Sequence, residues 1–237
     1  MDEAQLAHNI AHVRSTIAEA AQQTGRKPEE VTLVAVSKTM PVALVRMAYN
    51  LGVSHFGENR VQEALPKIEA FHPDGMYWHM IGHLQSNKAS KAAAPFDYVQ
   101  SVDSLHLARA LDRHAHQDGK RLRVLLQVNV SGEASKEGIS LAEAPELARQ
   151  VLALSHLEVQ GLMTIAPLVE NAEEVRPVFR KLRMLRDRLC IELPECAWQH
   201  LSMGMTGDYS IAIAEGATIV RIGRAIFGER VKKGDSQ

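Results

Sequence analysis

The amino-acid sequence predicts an α/β fold in which one sheet closes into a single (β/α)8 barrel. Two observations carry this expectation. Short apolar runs without polar alternation, such as Val31-Thr32-Leu33-Val34-Ala35-Val36, recur eight times with helical stretches between them. That is how parallel strands buried on both faces read. The second observation is length: 237 residues without a Pro/Ser-rich linker or low-complexity segment suit one barrel domain. An open doubly wound sheet is the competing architecture, disfavoured because no G-x-G-x-x-G fingerprint follows the first strand.

Residues 1–28 are expected to form an extra N-terminal helix and its connector, within a single domain spanning 1–237. Leu6, Ile10, Val13 and Ile17 fall at spacings of four, three and four, one face of a helix over 2–23 that stops near Gly25 and Pro28. His8 and His12 are also four apart. Without a neighbouring carboxylate or cysteine pattern they read as an exposed face in preference to a metal site. The first strand then ends on Lys38, ahead of Pro41.

The beat that follows is regular. A helix is expected over 41–51, a strand over 53–57, and a helix carrying Val61, Leu65 and Ile68. A third strand covers 76–81 and a fourth 96–102, with Asp103 or Ser104 capping a helix that runs toward Gly119. Residues 122–130 give the clearest strand, and 131–138 a polar loop. Ser140 and Glu143 have capping-box spacing before the next helix. A sixth strand spans 157–165. The helix over 171–191 has Pro177 in its first turn or at a kink, and an apolar stripe through Val175, Val178, Phe179, Leu182, Leu185 and Leu189. Strands over 199–203 and 217–222 flank a helix that starts at 206–208.

Composition removes several function classes. A net charge of −1 gives no footprint for nucleic acid, and no apolar run nears the roughly 20 residues of a membrane span. The acidic start Met1-Asp2-Glu3 is unlike a signal peptide, so a cytoplasmic location is expected. Cys190 and Cys196 are expected to be reduced thiols in or near the core. Arg176, Arg180, Lys181, Arg183, Arg186 and Arg188 crowd one helix and suggest an RNA- or partner-binding module; with acidic neighbours and a neutral chain, a solvated face is favoured.

The chemistry gathers where barrel sites form, at the C-terminal ends of the strands. Lys38 offers an amine there. The turns Ser202-Met203-Gly204-Met205-Thr206 and Ile222-Gly223-Arg224-Ala225 offer backbone N–H groups, a combination suited to phosphate. An amine facing a phosphate cradle outlines a site for pyridoxal 5′-phosphate. Arg221, one residue before the last of those strands ends, is placed to face a pyridine nitrogen; a guanidinium only donates, so it keeps that nitrogen unprotonated and the ring a poorer electron sink.

These residues sit in a longer series of ordered blocks. They include Phe56-Gly57-Glu58-Asn59-Arg60-Val61-Gln62-Glu63, Trp78-His79-Met80-Ile81-Gly82-His83-Leu84-Gln85-Ser86-Asn87-Lys88, Leu201-Ser202-Met203-Gly204-Met205-Thr206-Gly207-Asp208 and Val220-Arg221-Ile222-Gly223-Arg224-Ala225-Ile226-Phe227-Gly228. Through them the chain resembles, over essentially its whole length, the YggS-like pyridoxal phosphate homeostasis proteins, also called proline synthase co-transcribed homologues. The resemblance implies a TIM barrel of the alanine racemase N-terminal type with pyridoxal phosphate held as a Schiff base on Lys38. It implies phosphate contacts at Ser202, Gly204, Gly223 and Arg224, Arg221 at the ring nitrogen and Asn59 beside the ring. The implied role is intracellular vitamin B6 balance without established catalysis, in a monomer whose partners are the cofactor and, as candidate recipients, apo-enzymes that depend on it. Thr206 stands where the family commonly has serine, and Arg224 where a small hydroxyl residue is common. Arg224 keeps its backbone N–H and a guanidinium for phosphate.

The rival is a single-domain amino-acid racemase. The resemblance suggests that alanine racemase needs a second domain and a tyrosine base from across a dimer, and a chain ending about nine residues after Gly228 is expected to lack that domain. His79, His83, Asn87 and Lys88, at the exit of the third strand, are expected either to face the pocket or to make structural hydrogen bonds.

Overall fold

Eight parallel strands close on themselves because the first pairs with the last. A computed structural model describes residues 1–133 and 136–229. The strands are β1 (Thr32–Val36), β2 (His55–Glu58), β3 (Tyr77–Met80), β4 (Tyr98–Val102), β5 (Leu122–Asn129), β6 (Ile139–Ser140), β7 (Leu157–Met163), β8 (His200–Ser202) and β9 (Ile219–Ile222). The ring runs β1-β2-β3-β4-β5-β7-β8-β9 and back to β1; β6 is a two-residue extension beside β5 that the sequence pattern did not reveal. The expected barrel is therefore the observed one.

Helices α1 (Glu3–Gln23), α2 (Val42–Asn50), α3 (Val61–Ala70), α4 (Ala89–Ala93), α5 (Leu105–Gln117), α6 (Ala144–Leu152), α7 (Arg176–Glu192), α8 (Tyr209–Ala214) and α9 (Arg224–Phe227) surround it. Asp2 caps α1 by accepting from Gln5 N–H, and Leu6, Ile10, Val13 and Ile17 are buried. Each such side chain contributes on the order of 1.5–3 kcal/mol. The same helix packs on α8 and α9, and Asn9 donates to the Ile226 carbonyl over 2.9 Å. Ser104, rather than Asp103, caps α5. Ser140 and Glu143 make the reciprocal capping contacts, one turn ahead of α6. The helix expected over 171–191 is split: a 3-10 turn at Ala172–Val175 precedes α7, with Pro177 in the first turn.

Alternation along the strands separates two apolar regions. Ala35, Val124, Leu126, Leu162 and Val220 belong to the large core between strands and helices, with Phe56, Trp78, Phe96 and Phe179. Their sequence neighbours Val34, Leu125, Met163 and Ile219 form a small cluster of their own inside the barrel. Because side-chain direction has a period of two, residues in register with that cluster also point inward. Arg221 opposes Val34 and Ser202 opposes Met163. The rest of the interior is thus polar and buried, with His79, Gln100, Ser202 and Arg221 at most 4% exposed.

Gly161 lies where the β5–β7 register slips by one residue; a Cβ there would come 1.9 Å from the His200 carbonyl oxygen. The bulge and the close strand approach require glycine.

One sequence expectation needs correcting. Cys190 is exposed on α7, because the helix turns that position away from the stripe; Cys196 is buried, and its thiol donates to the Val159 carbonyl at 3.1 Å. The arginines of α7 are largely ion-paired. Arg176, Arg180 and Arg183 converge on the Glu215 carboxylate, and Arg186 and Arg188 reach Asp187 and Glu192. A face so neutralised supports the solvated reading. His8 and His12 are exposed on α1.

Candidate functional site

Lys38 stands two residues beyond β1, in a turn and not within the strand as its apolar run suggested. Met40 N–H donates to the Ser37 carbonyl over 3.0 Å, and Thr39 has a φ of 67°. That is the third position of a type II turn, where glycine is the usual occupant. A β-branched residue there stores roughly 1–3 kcal/mol of strain, which persists only where the surroundings enforce it. They do so from below. The buried Ser37 hydroxyl donates to Glu58 Oε1 at 2.7 Å, and Lys67 Nζ donates both to that oxygen (2.7 Å) and to the Ser37 carbonyl (2.8 Å). The half-buried Lys38 is therefore presented on a braced turn.

A cavity of about 820 Å³ opens above the C-terminal ends of the strands, within the roughly 300–1,000 Å³ of small-molecule sites. Lys38, Asn59, Arg221, Gly223 and Arg224 all line it. Ser202 and Gly204 do not. Ser202 is inward-facing and fully buried, and its hydroxyl accepts from Arg221 Nη1 and donates to Gln100 Oε1, both at 2.6 Å. Gly204, at φ 97°, accepts Arg221 N–H with its carbonyl, and a Cβ there would come 2.6 Å from the Ala212 Cβ. Both residues brace Arg221 from beneath. Beyond them Met205, Thr206, Gly207 and Asp208 line the cavity.

Arg221 is the buried charge of the site. Its second anchor is Nη2 to the Thr164 carbonyl at 2.8 Å. Burial lowers its pKa to about 10, opposed by the Asp208 carboxylate, so it stays cationic at neutral pH. Asp208 accepts from Met205 N–H at 2.6 Å, and burial raises its carboxyl pKa. At Gly223 a Cβ would make only ordinary contact with the Val36 carbonyl oxygen, at 3.4 Å. At Gly82 it would lie 2.3 Å from the Asn59 carbonyl oxygen, so glycine is what lets the backbone pass this close to Asn59.

Of the residues placed at the exit of β3, His79 is fully buried inside the barrel, while His83 and Lys88 line a smaller pocket beside Asn59. Sequence reading missed Gln100. A polar residue inside a strand run, Tyr98-Val99-Gln100-Ser101-Val102, was its only signal.

The donor set fits pyridoxal phosphate: one amine, one fixed guanidinium and two glycine-bearing turns around a cavity of suitable size. Fold and site together define a barrel of the type found at the N-terminus of alanine racemases, and the family described as "Alanine racemase, N-terminal domain" matches residues 1–231. More narrowly, the chain belongs to the family of pyridoxal phosphate homeostasis proteins. It is 44% identical to the Escherichia coli K12 protein of that name, over 95% of this chain and 97% of that one. It is 46% identical to the Pseudomonas aeruginosa protein, over 95% and 96%. Among solved structures, PipY of Synechococcus elongatus, determined with PLP bound, superposes with a TM-score of 0.84 at 40% identity over 94% of this chain and all of that one. Alanine racemase of Clostridium difficile shares the fold alone, with a TM-score of 0.73 at 14% identity over 97% of this chain and 60% of that one.

Proposed function

We propose that this chain holds pyridoxal 5′-phosphate through Lys38 and serves the cytoplasmic balance of that cofactor as a holder, without turnover. The observation that carries the reading is that Lys38 and the Arg221–Gly223–Arg224 strand end line one cavity. Its family context supports it, since PipY was solved with PLP bound. When bound, pyridoxal phosphate supplies an aldehyde that condenses with a primary amine with loss of water, a ring nitrogen and a phosphate.

Lys38 supplies the amine from its braced turn. Arg221 donates toward the ring nitrogen and, having no proton to give up at neutral pH, keeps that nitrogen from being protonated. The backbone N–H groups of Gly223 and Arg224, with Thr206 and Gly207 opposite, receive the phosphate. Asn59 flanks the ring, and Val36 and Ile81 wall the cavity with apolar surface. Ser202 and Gly204 act indirectly, by holding Arg221. Apo-enzymes that need the cofactor are the proposed recipients, and a monomer suffices because every assigned residue lies in one chain.

The racemase alternative requires a second base opposite the lysine. Among the described residues, the cavity wall carries no tyrosine, histidine or cysteine for that role; its carboxylates are Glu170, Asp208 and Glu229, and the exchange experiment decides whether any of them serves as a base. The test is to load the protein, reduce it with borohydride and map its peptides. Cofactor mass fixed on Lys38 is expected, with none in Lys38→Ala; label elsewhere, or no label, overturns the reading. Incubation with L-alanine in deuterated water should give no exchange of its α-proton, and exchange at an enzyme-like rate restores the racemase.

A further inference from the structure

From the floor of the cavity an unbroken line of side-chain hydrogen bonds crosses the barrel to its N-terminal face. Arg221 Nη1 donates to Ser202 Oγ at 2.6 Å, Ser202 Oγ donates to Gln100 Oε1 at 2.6 Å, Gln100 Nε2 meets His79 Nδ1 at 2.8 Å, and His79 Nε2 meets His55 Nδ1 at 2.9 Å. Four of the five residues are buried, and His55, the first residue of β2, marks the far end.

The polarity of this line is dictated from one end. A guanidinium has donors and no acceptor, so Ser202 must accept from Arg221 and spend its only proton on Gln100. The amide carbonyl of Gln100 therefore faces Ser202, and its NH2 faces His79. His79 Nδ1 must accept, which leaves its ring proton on Nε2, and His55 must accept in turn at Nδ1. Each group has a single state that satisfies both neighbours, and any other would leave a polar atom unsatisfied in a low-dielectric interior.

We propose that Gln100 and His79 are positioning residues: with His79 fixed as its Nε2–H tautomer, they lock the Ser202 hydroxyl and thereby the plane of the Arg221 guanidinium. The consequence for the cofactor rests on the function proposed above, because Arg221 is the group that would touch the ring. Burial is what keeps the two histidines neutral and the line in one polarity; Arg123 and His200, which face them, disfavour an added proton further. His79 also stacks on Tyr98 and His55 on Tyr77, which fixes both ring planes.

Two arms test this. In the cofactor-free, histidine-15N-labelled full chain at neutral pH, nitrogen shifts should show His79 protonated at Nε2; an Nδ1–H tautomer, or rapid averaging of the two, overturns the proposal. In the loaded protein, Gln100→Leu should shift the absorption band and speed cofactor release about tenfold, the scale of one misdirected hydrogen bond to a charged group. His79→Asn, which keeps an acceptor where Nδ1 stood, should stay near wild type, whereas His79→Leu should follow Gln100→Leu. A loaded Gln100→Leu protein with wild-type spectrum and release rate overturns the positioning role. Failure of the wild type to take up pyridoxal phosphate would overturn the proposed function instead, and the tautomer arm, which needs no cofactor, then decides this proposal.

Discussion

The ammonium of Lys67 donates to the carbonyl oxygen of Ser37 over 2.8 Å, so a residue on α3 holds the backbone immediately ahead of Lys38. The same ammonium pairs with Glu58, whose side chain is fully buried and whose Oε2 has no hydrogen-bond partner among the described residues. Removing Lys67 would strand that carboxylate. Lys67→Met is expected to destabilise by about 3–5 kcal/mol, the cost of an uncompensated buried charge, and to weaken cofactor binding. Lys67→Met/Glu58→Gln should regain part of the stability but not the hold on Ser37. Urea unfolding with cofactor titration checks this; a single variant within 0.5 kcal/mol of wild type would remove Lys67 from the brace.

Arg224 is exposed and lines the cavity. If its backbone N–H is what receives phosphate, Arg224→Ala should cost only a few-fold in cofactor affinity and reduce its salt dependence. Equilibrium dialysis at low and high salt separates the two contributions. Loss of binding altogether would assign the contact to the guanidinium.

Acid should unlock the barrel before it protonates most carboxylates. Burial lowers the pKa of His55 from 6.5 to about 4, and that of His79 and His200 in the same direction. Below pH 6.5 the unfolded chain binds protons that the folded chain refuses. Stability is therefore full above about 6.5 and is lost as pH falls toward 4, by up to ~1.4 kcal/mol per pH unit for each histidine. Asp103 and Asp208, raised by burial, work in the opposite sense. His55→Gln should flatten the slope in urea unfolding between pH 6.5 and 4, and an unchanged slope would exclude His55 as its source.

Gly161→Ala is expected to cost about 3 kcal/mol or more, because its methyl group would collide with the His200 carbonyl at the β5–β7 bulge. Thermal unfolding reads this directly. A loss below 1 kcal/mol would mean that the β7–β8 approach relaxes easily.

The barrel was legible because its strands are buried on both faces and so read as plain apolar runs, and α1 because its four core residues keep helical spacing. Lys38, Arg221 and the Gly223–Arg224 turn were singled out because their chemistry is local to a strand end, and the structure places all of them on one cavity. Ser202 was read as facing phosphate because a hydroxyl beside glycine suggests an anion loop; its direction depends on register with Met163, which is a tertiary fact. Gln100 was missed for the same reason, as its partners come from β3 and β8. The two-residue β6 carries too few residues for any periodicity.

β1 and β9 are neighbours in space, with Val34 beside Arg221, yet 187 residues separate that pair in sequence. Lys38 is synthesised early and Arg221 late, so under the proposed function a growing chain has no complete grip on an aldehyde until β9 docks beside β1. Ligand capture would then be a late checkpoint on ring closure: half-made or misthreaded chains would leave the aldehyde for others, and only chains whose ring has closed would hold it.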